Sequence, residues 1–142
     1  MSAPAAIELF AGGGGAATGL HRAGFRHLVS VEMWQPAVDT LRKVGFPTIA
    51  GRVEEADLSR FAGKVTLLWA SPPCQPYSSA GMRLGKLDPR DGWDGTLLRV
   101  RELRPKFVII ENVAGAPVAA WAKQMKKDFD NVCSFDLTAE DF

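Results

Sequence analysis

Three short segments of the chain carry side chains able to do chemistry. The first is Ser71-Pro72-Pro73-Cys74-Gln75-Pro76-Tyr77-Ser78. Its prolines stiffen the backbone and preclude regular helix. Such a turn presents one side chain at a fixed angle. The side chain in its middle is a thiol, the most intrinsically nucleophilic of the common side chains. The second segment is Glu111-Asn112-Val113, directly after the apolar run FVII at 107–110. Desolvation at the end of a buried strand raises a carboxyl pKa and lets the group hold a proton. Glu111 could then donate to a ring nitrogen of a heterocycle, with Asn112 fixing the local backbone. A solvated or capping carboxylate is the plainer alternative. The third segment is Phe10-Ala11-Gly12-Gly13-Gly14-Gly15-Ala16-Ala17, in which Gly12, Gly14 and Ala17 fit G-x-G-x-x-G/A. Glycines there allow a tight strand-to-helix turn and close backbone approach to a ligand. Glu32 follows Gly12 at the spacing from which a carboxylate binds ribose hydroxyls. Met33 and Trp34 come next and could cover a purine. This pattern fits a dinucleotide and S-adenosylmethionine equally well.

The elements that must position these residues alternate. Strands are predicted at 5–10, 27–31, 48–51, 65–70, 107–110 and 132–137. Helices are predicted at 16–23, 35–44, 95–103 and 118–126. Pro36 opens the second helix, and Gly45 and Pro47 stop it. Continuous apolar strands separated by helices indicate a mostly parallel, doubly wound α/β sheet covered on both faces. Ligands of such sheets sit at the carboxyl ends of the strands, where all three segments fall. Cys133, inside the predicted last strand, reads as a small buried hydrophobe.

The whole chain is 142 residues, one domain's worth, with 46% hydrophobic and 23% charged residues. Extended disorder is excluded on that composition. Seventeen basic against sixteen acidic residues give a net charge of +1, so the chain as a whole lacks the basic footprint of a nucleic-acid binder. A local excess of three positive charges does lie between Pro76 and Lys106; it suits phosphate contact, but a solvated helix face explains Arg99 to Lys106 equally well. With two cysteines, no zinc-type spacing and no membrane-span or signal-peptide pattern, the expectation is a cytoplasmic protein without metal or membrane attachment.

FAGGGG, then SPPCQPYS, then ENV, in this order and spacing, resembles the cytosine-C5 methyltransferase family over essentially the whole chain. The resemblance implies a Rossmann-like sheet, S-adenosylmethionine as cofactor and DNA with a flipped cytosine as substrate. It implies that Phe10, Ala11, Gly12, Gly13 and Gly14 cradle the methionine part of the cofactor. Glu32 would hold the ribose, Met33 or Trp34 would pack on the adenine, and Asp57 beside Leu58 would contact the adenine amino group. An ordinary turn cap is the alternative for Asp57, given Ser59 nearby. Pro73 and Leu97 look like further cofactor-side contacts. Cys74 would be the nucleophile and Glu111 the group on cytosine N3. The stretch 75–91 matches the family's catalytic loop, with Gln75, Ser78 and Arg83, and Asn112 beyond it, on the nucleic-acid side.

The chain departs from the family after residue 137. The expected Gln-x-Arg-x-Arg segment, the target recognition region and a final helix are absent. The expectation is therefore a single partial cofactor-binding and catalytic domain over 1–142, its sheet cut short before the last strand or strands. It would work with a second polypeptide that supplies the missing arginine and recognition region, or be an excised portion of a longer enzyme. The alternatives are a non-catalytic remnant or cofactor-binding module, and the tRNA cytosine branch that shares PPCQP and ENV. The resemblance also implies DNA methylation in a restriction-modification setting.

Overall fold

The computed structural model describes residues 3–73 and 92–137. The elements run β1 (Ala5–Leu9), α1 (Gly15–Arg22), β2 (Arg26–Glu32), α2 (Gln35–Lys43), β3 (Thr48–Ala50), β4 (Leu67–Ala70), α3 (Trp93–Leu103), β5 (Phe107–Ile110) and α4 (Val118–Met125). The strands form one parallel sheet in the order β3-β2-β1-β4-β5. The chain first winds outward from β1 to β3, then returns past it to place β4 on β1's other side. This reversal opens a crevice at the carboxyl ends of β1 and β4.

β1, with the sequence AAIEL, is buried along its whole length. Ile7 and Leu9 face the larger core, where Val29, Val31 and Leu68 from neighbouring strands meet Leu58, Trp93, Val100, Leu103 and Trp121. The rings of Trp93 and Trp121 stack with centroids 4.7 Å apart and tie α3 to α4. On the other face Ala6 packs with Leu20 of α1 and Leu67 of β4. Helix α2 ends where Gly45, with φ 89°, takes the left-handed conformation; Gly45 N–H donates to Arg42 O and Phe46 N–H to Leu41 O. That is the hydrogen-bond pattern glycine permits after a helix terminus.

Three expectations change. Residues 131–137 form no strand, and Cys133 is exposed rather than buried in one. β5 is not a fully buried strand: Phe107 is 64% and Ile109 42% exposed. These two pair with Leu67 and Trp69 of β4 and share the face on which α1 lies. That helix packs on β1 and β2, so among the described residues no helix covers β5 on that side. The rule that a parallel sheet is covered on both faces is met over β1 and not over β5.

Among the described residues Glu8 is the one carboxylate in the interior, 2% exposed on β1. Ser30 Oγ donates to it at 3.4 Å, and His27 Nε2 lies 2.9 Å from the same hydroxyl. The backbone N–H of Ala17 in α1 bonds it as well. Burial outweighs these bonds and pushes the Glu8 pKa from 4.5 up to about 7. The folded state then binds more protons than the unfolded state between those values, so stability falls as pH rises from about 4.5 to about 7. At ~1.4 kcal/mol per unit the ceiling is on the order of 3 kcal/mol. Burial lowers the His27 pKa, which acts in the opposite sense at pH below 6.5. Glu8→Gln keeps an acceptor and removes the charge. It is expected to be more stable than wild type at pH 8, and the wild-type minus variant difference should vanish near pH 4.5 in urea unfolding followed by circular dichroism.

Candidate functional site

A cavity of ≈ 650 Å³ lies at the carboxyl ends of the strands. The first strand end contributes Phe10 and Gly12, the second Glu32, Met33 and Trp34, the third Gly51, Arg52, Val53 and Glu54. Ser71, Pro72 and Pro73 follow β4, and Glu111, Asn112 and Val113 follow β5. A second cavity, ≈ 490 Å³, lies around His27 at the amino-terminal end of β2 and holds none of the motif residues.

The glycine turn is built on a strained residue. Phe10 has φ 57°, a left-handed conformation that costs a non-glycine residue about 1–2 kcal/mol. It turns the chain sharply out of β1, and Ala11 N–H then donates to Val31 O at 3.2 Å. Gly12 and Gly14 follow with φ 51° and 88°. A Cβ on Gly12 would meet nothing within 4 Å, so the backbone faces open cavity there. A Cβ on Gly14 would lie 2.8 Å from Leu41 Cδ2, so the absent side chain is what lets α2 approach α1. Ala17 is fully buried, which fits the close helix–strand packing assigned to the last position of the motif.

Glu32 holds the turn from across the crevice. Its Oε2 accepts from Gly12 N–H and its Oε1 from Trp34 N–H, both at 2.7 Å. Each oxygen keeps a further acceptor direction. Met33 and Trp34 are 62% and 66% exposed, an apolar platform at the cavity rim. On the other side Asn112 Nδ2 donates to Pro72 O, and its Oδ1 accepts from Val113 N–H, each at 2.9 Å. Asn112 therefore ties the end of β5 to the proline turn that precedes Cys74. Its observed contacts are to backbone.

The structure thus brings Phe10, Gly12, Glu32, Met33, Trp34, Pro73, Glu111 and Asn112 to one cavity. Ala11, Gly13 and Gly14 shape the turn without lining it. Cys74, Gln75, Ser78 and Arg83 lie outside the described residues. Three expected cofactor contacts are placed elsewhere. Asp57 is exposed and is held locally by Ser59, accepting from its N–H and Oγ at 3.1 and 2.7 Å just before the short turn Ser59–Phe61. The Ser59 hydroxyl and amide hold its carboxyl below the usual carboxylate range. Leu58 is fully buried in the core, and Leu97 belongs to that core on α3. Glu111 also departs from expectation. It is exposed, so the described residues do not supply the desolvation expected of it. Residues 52–54 went unnoticed in the sequence, although they directly follow a predicted strand.

A cavity at the reversal point of a doubly wound parallel sheet, floored by a glycine turn and walled by a strand-end carboxylate, defines a Rossmann-like nucleoside-cofactor fold. The chain belongs to the C-5 cytosine-specific DNA methylase family, whose pattern matches residues 5–133. It is 40% identical over 116 residues to the type II methyltransferase M.PspPI of Psychrobacter sp. (strain TA137), covering 77% of this chain and 27% of that protein. It is 40% identical over 113 residues to M.NgoMIV of Neisseria gonorrhoeae, covering 77% and 35%. The fold matches a Spodoptera frugiperda DNMT2 mutant with TM-score 0.65 at 20% identity, over 88% of this chain and 41% of that one. The chain therefore spans about a third of the length of these curated relatives.

Gly14→Ala combines left-handed strain with the Leu41 overlap and is expected to destabilise the fold by about 2–4 kcal/mol. Gly13→Ala meets nothing within 4 Å and should stay within about 0.5 kcal/mol. Urea midpoints of the two variants measure the contrast.

Proposed function

We propose that this chain is the cofactor-binding and nucleophile-bearing part of an enzyme that methylates C5 of cytosine in DNA. The observation that carries this reading is the single cavity into which Gly12, Glu32, Met33 and Trp34 converge with Pro73, Glu111 and Asn112. Membership of the methylase family supplies the reaction.

The cavity residues fit S-adenosylmethionine. Open space over Gly12 admits the amino-acid end against bare backbone. Glu32 retains acceptor capacity for ribose hydroxyls, and Met33 and Trp34 offer apolar surface to the adenine. When bound, the cofactor supplies an electrophilic methyl group on a sulfonium. Among the described residues no cluster could hold a metal ion, and none is invoked.

The target cytosine is flipped out of the duplex into the pocket. The Cys74 thiolate attacks C6, forming an S–C6 bond. Glu111 bonds N3 and stabilises the charge that the attack develops in the ring. The C5–C6 π electrons make C5 nucleophilic, and C5 takes the methyl. Loss of the C5 proton returns an electron pair to the ring and expels the thiolate. Asn112 holds the Pro72 carbonyl and so aims the proline turn before Cys74. Gln75, Ser78 and Arg83 contact the nucleic acid.

The exposure of Glu111 favours a chain completed by a further polypeptide segment, in cis or in trans. That segment would cover the β5 side of the pocket, supply an arginine for cytosine O2 and read the target sequence. On this reading the 142-residue chain alone methylates weakly or not at all.

The test is covalent capture. A duplex containing 5-fluorocytosine arrests the cycle after methyl transfer, because fluorine replaces the departing proton. With S-adenosylmethionine present, wild type combined with its completing segment is expected to form a band stable to denaturing electrophoresis, and Cys74→Ser is expected to form none. Equal capture by both proteins would refute the nucleophile. Efficient methylation by the 142-residue chain alone would refute the need for completion. The same experiment on tRNA separates the two nucleic-acid substrates.

A further inference from the structure

Arg99 is placed unlike any other cation among the described residues. It sits on α3, yet is only 8% exposed. A guanidinium is buried at low cost only when its donors are taken up. Here Nε donates to Val53 O at 2.8 Å and one terminal nitrogen to Glu54 O at 2.6 Å. The other terminal nitrogen bonds and ion-pairs with Glu102 one turn along the same helix. The two carbonyls belong to successive residues, so one rigid fork grips both. They are carbonyls of a tight turn, in which Glu55 and Ala56 N–H both bond Arg52 O at 3.1 Å.

Arg52, Val53 and Glu54 line the strand-end cavity. They follow β3 directly, and Gly51 N–H donates to Glu32 O at 2.9 Å. This wall therefore adjoins the carboxylate and the apolar platform that would receive a nucleoside. Helix α3 comes close enough that a Cβ on Gly95 would lie 2.7 Å from Glu54 Oε1.

We propose that Arg99 is a positioning residue for the nucleoside end of the cofactor cavity, fixing the Val53–Glu54 backbone to helix α3. It acts through that backbone, without touching the ligand. The proposal rests on reading the cavity as the S-adenosylmethionine site. It also links that site to the sequence neighbourhood of Cys74, since α3 is the first described element after residues 74–91.

The test titrates the full chain with S-adenosylhomocysteine by calorimetry and follows amide hydrogen exchange. Arg99→Lys keeps the charge and loses the two-carbonyl fork. It is expected to weaken binding about tenfold. Exchange at Glu55 and Ala56 should quicken while α4 amides keep wild-type rates, a local signature that general destabilisation would not give. Glu102→Gln leaves the fork on both carbonyls and should bind within about twofold of wild type. Should Arg99→Lys fail to fold, wild type itself carries the test: saturating S-adenosylhomocysteine is expected to slow exchange at Glu55 and Ala56 more than at α4 amides.

Wild-type affinity in Arg99→Lys, or exchange at Glu55 and Ala56 that the bound ligand leaves unchanged, overturns the proposal and leaves the cofactor reading intact. Equal weakening by Glu102→Gln and Arg99→Lys also overturns it, since helix packing would then be the cause. No binding by wild type removes the cofactor reading and the proposal together.

Discussion

The position of β1 constrains everything else in this molecule. It is the central strand of the sheet, paired to β2 and to β4, and it is buried along its whole length. A strand so placed can present function only at its end. The chain satisfies this by turning abruptly at Phe10, at the expense of a left-handed residue, and by letting winding reverse across the β1–β4 gap. The crevice, the glycine turn and the grip of Glu32 on Gly12 follow from that one arrangement. Glu32 makes the arrangement rigid, because one carboxylate bonds the turns after two neighbouring strands.

Local chemistry was legible in the sequence wherever one residue type has few structural uses. Strand-ending glycines, a carboxylate at the correct distance and prolines around a thiol pointed to one end of a parallel sheet, and the described residues converge there. The four helices and first five strands were foreseeable from apolar runs and from stop signals such as Gly45. The sixth strand was not real in this structure: the apolar residues at 132–137 resemble a strand locally, but a strand exists only when a neighbour accepts its hydrogen bonds. Phe107 and Ile109 misled for a related reason. Apolar character reports what a face needs, and not whether a covering element is present.

Arg99 and Asp57 make a contrast. The role of Arg99 depends on distant backbone, whereas Asp57 is held by Ser59 beside it, the turn cap that the sequence already offered. In a run of basic residues Arg99 looks like part of a solvated helix face, and the carbonyls that bury it lie 45 and 46 positions earlier. Asp57 stands where the family resemblance expects an adenine contact, but its nearest donors are on Ser59, and the local turn takes it. Pairwise chemistry between elements is set by packing, which a linear reading does not contain.

Gly92 lies against the ring of Phe10 and against Pro73: a Cβ there would come within 2.7 Å of the one and 3.0 Å of the other. The chain thus leaves the sheet at residue 73 and rejoins it at residue 92 from practically the same point. A segment whose ends are pinned together can change in length at small entropic cost, because closure entropy grows only logarithmically with length. Nor would such a change disturb the strands, since no strand spacing depends on it. The fold therefore sets Pro73 and Gly92 side by side whatever length of chain joins them, so a change in that length leaves β4 and α3 where they are.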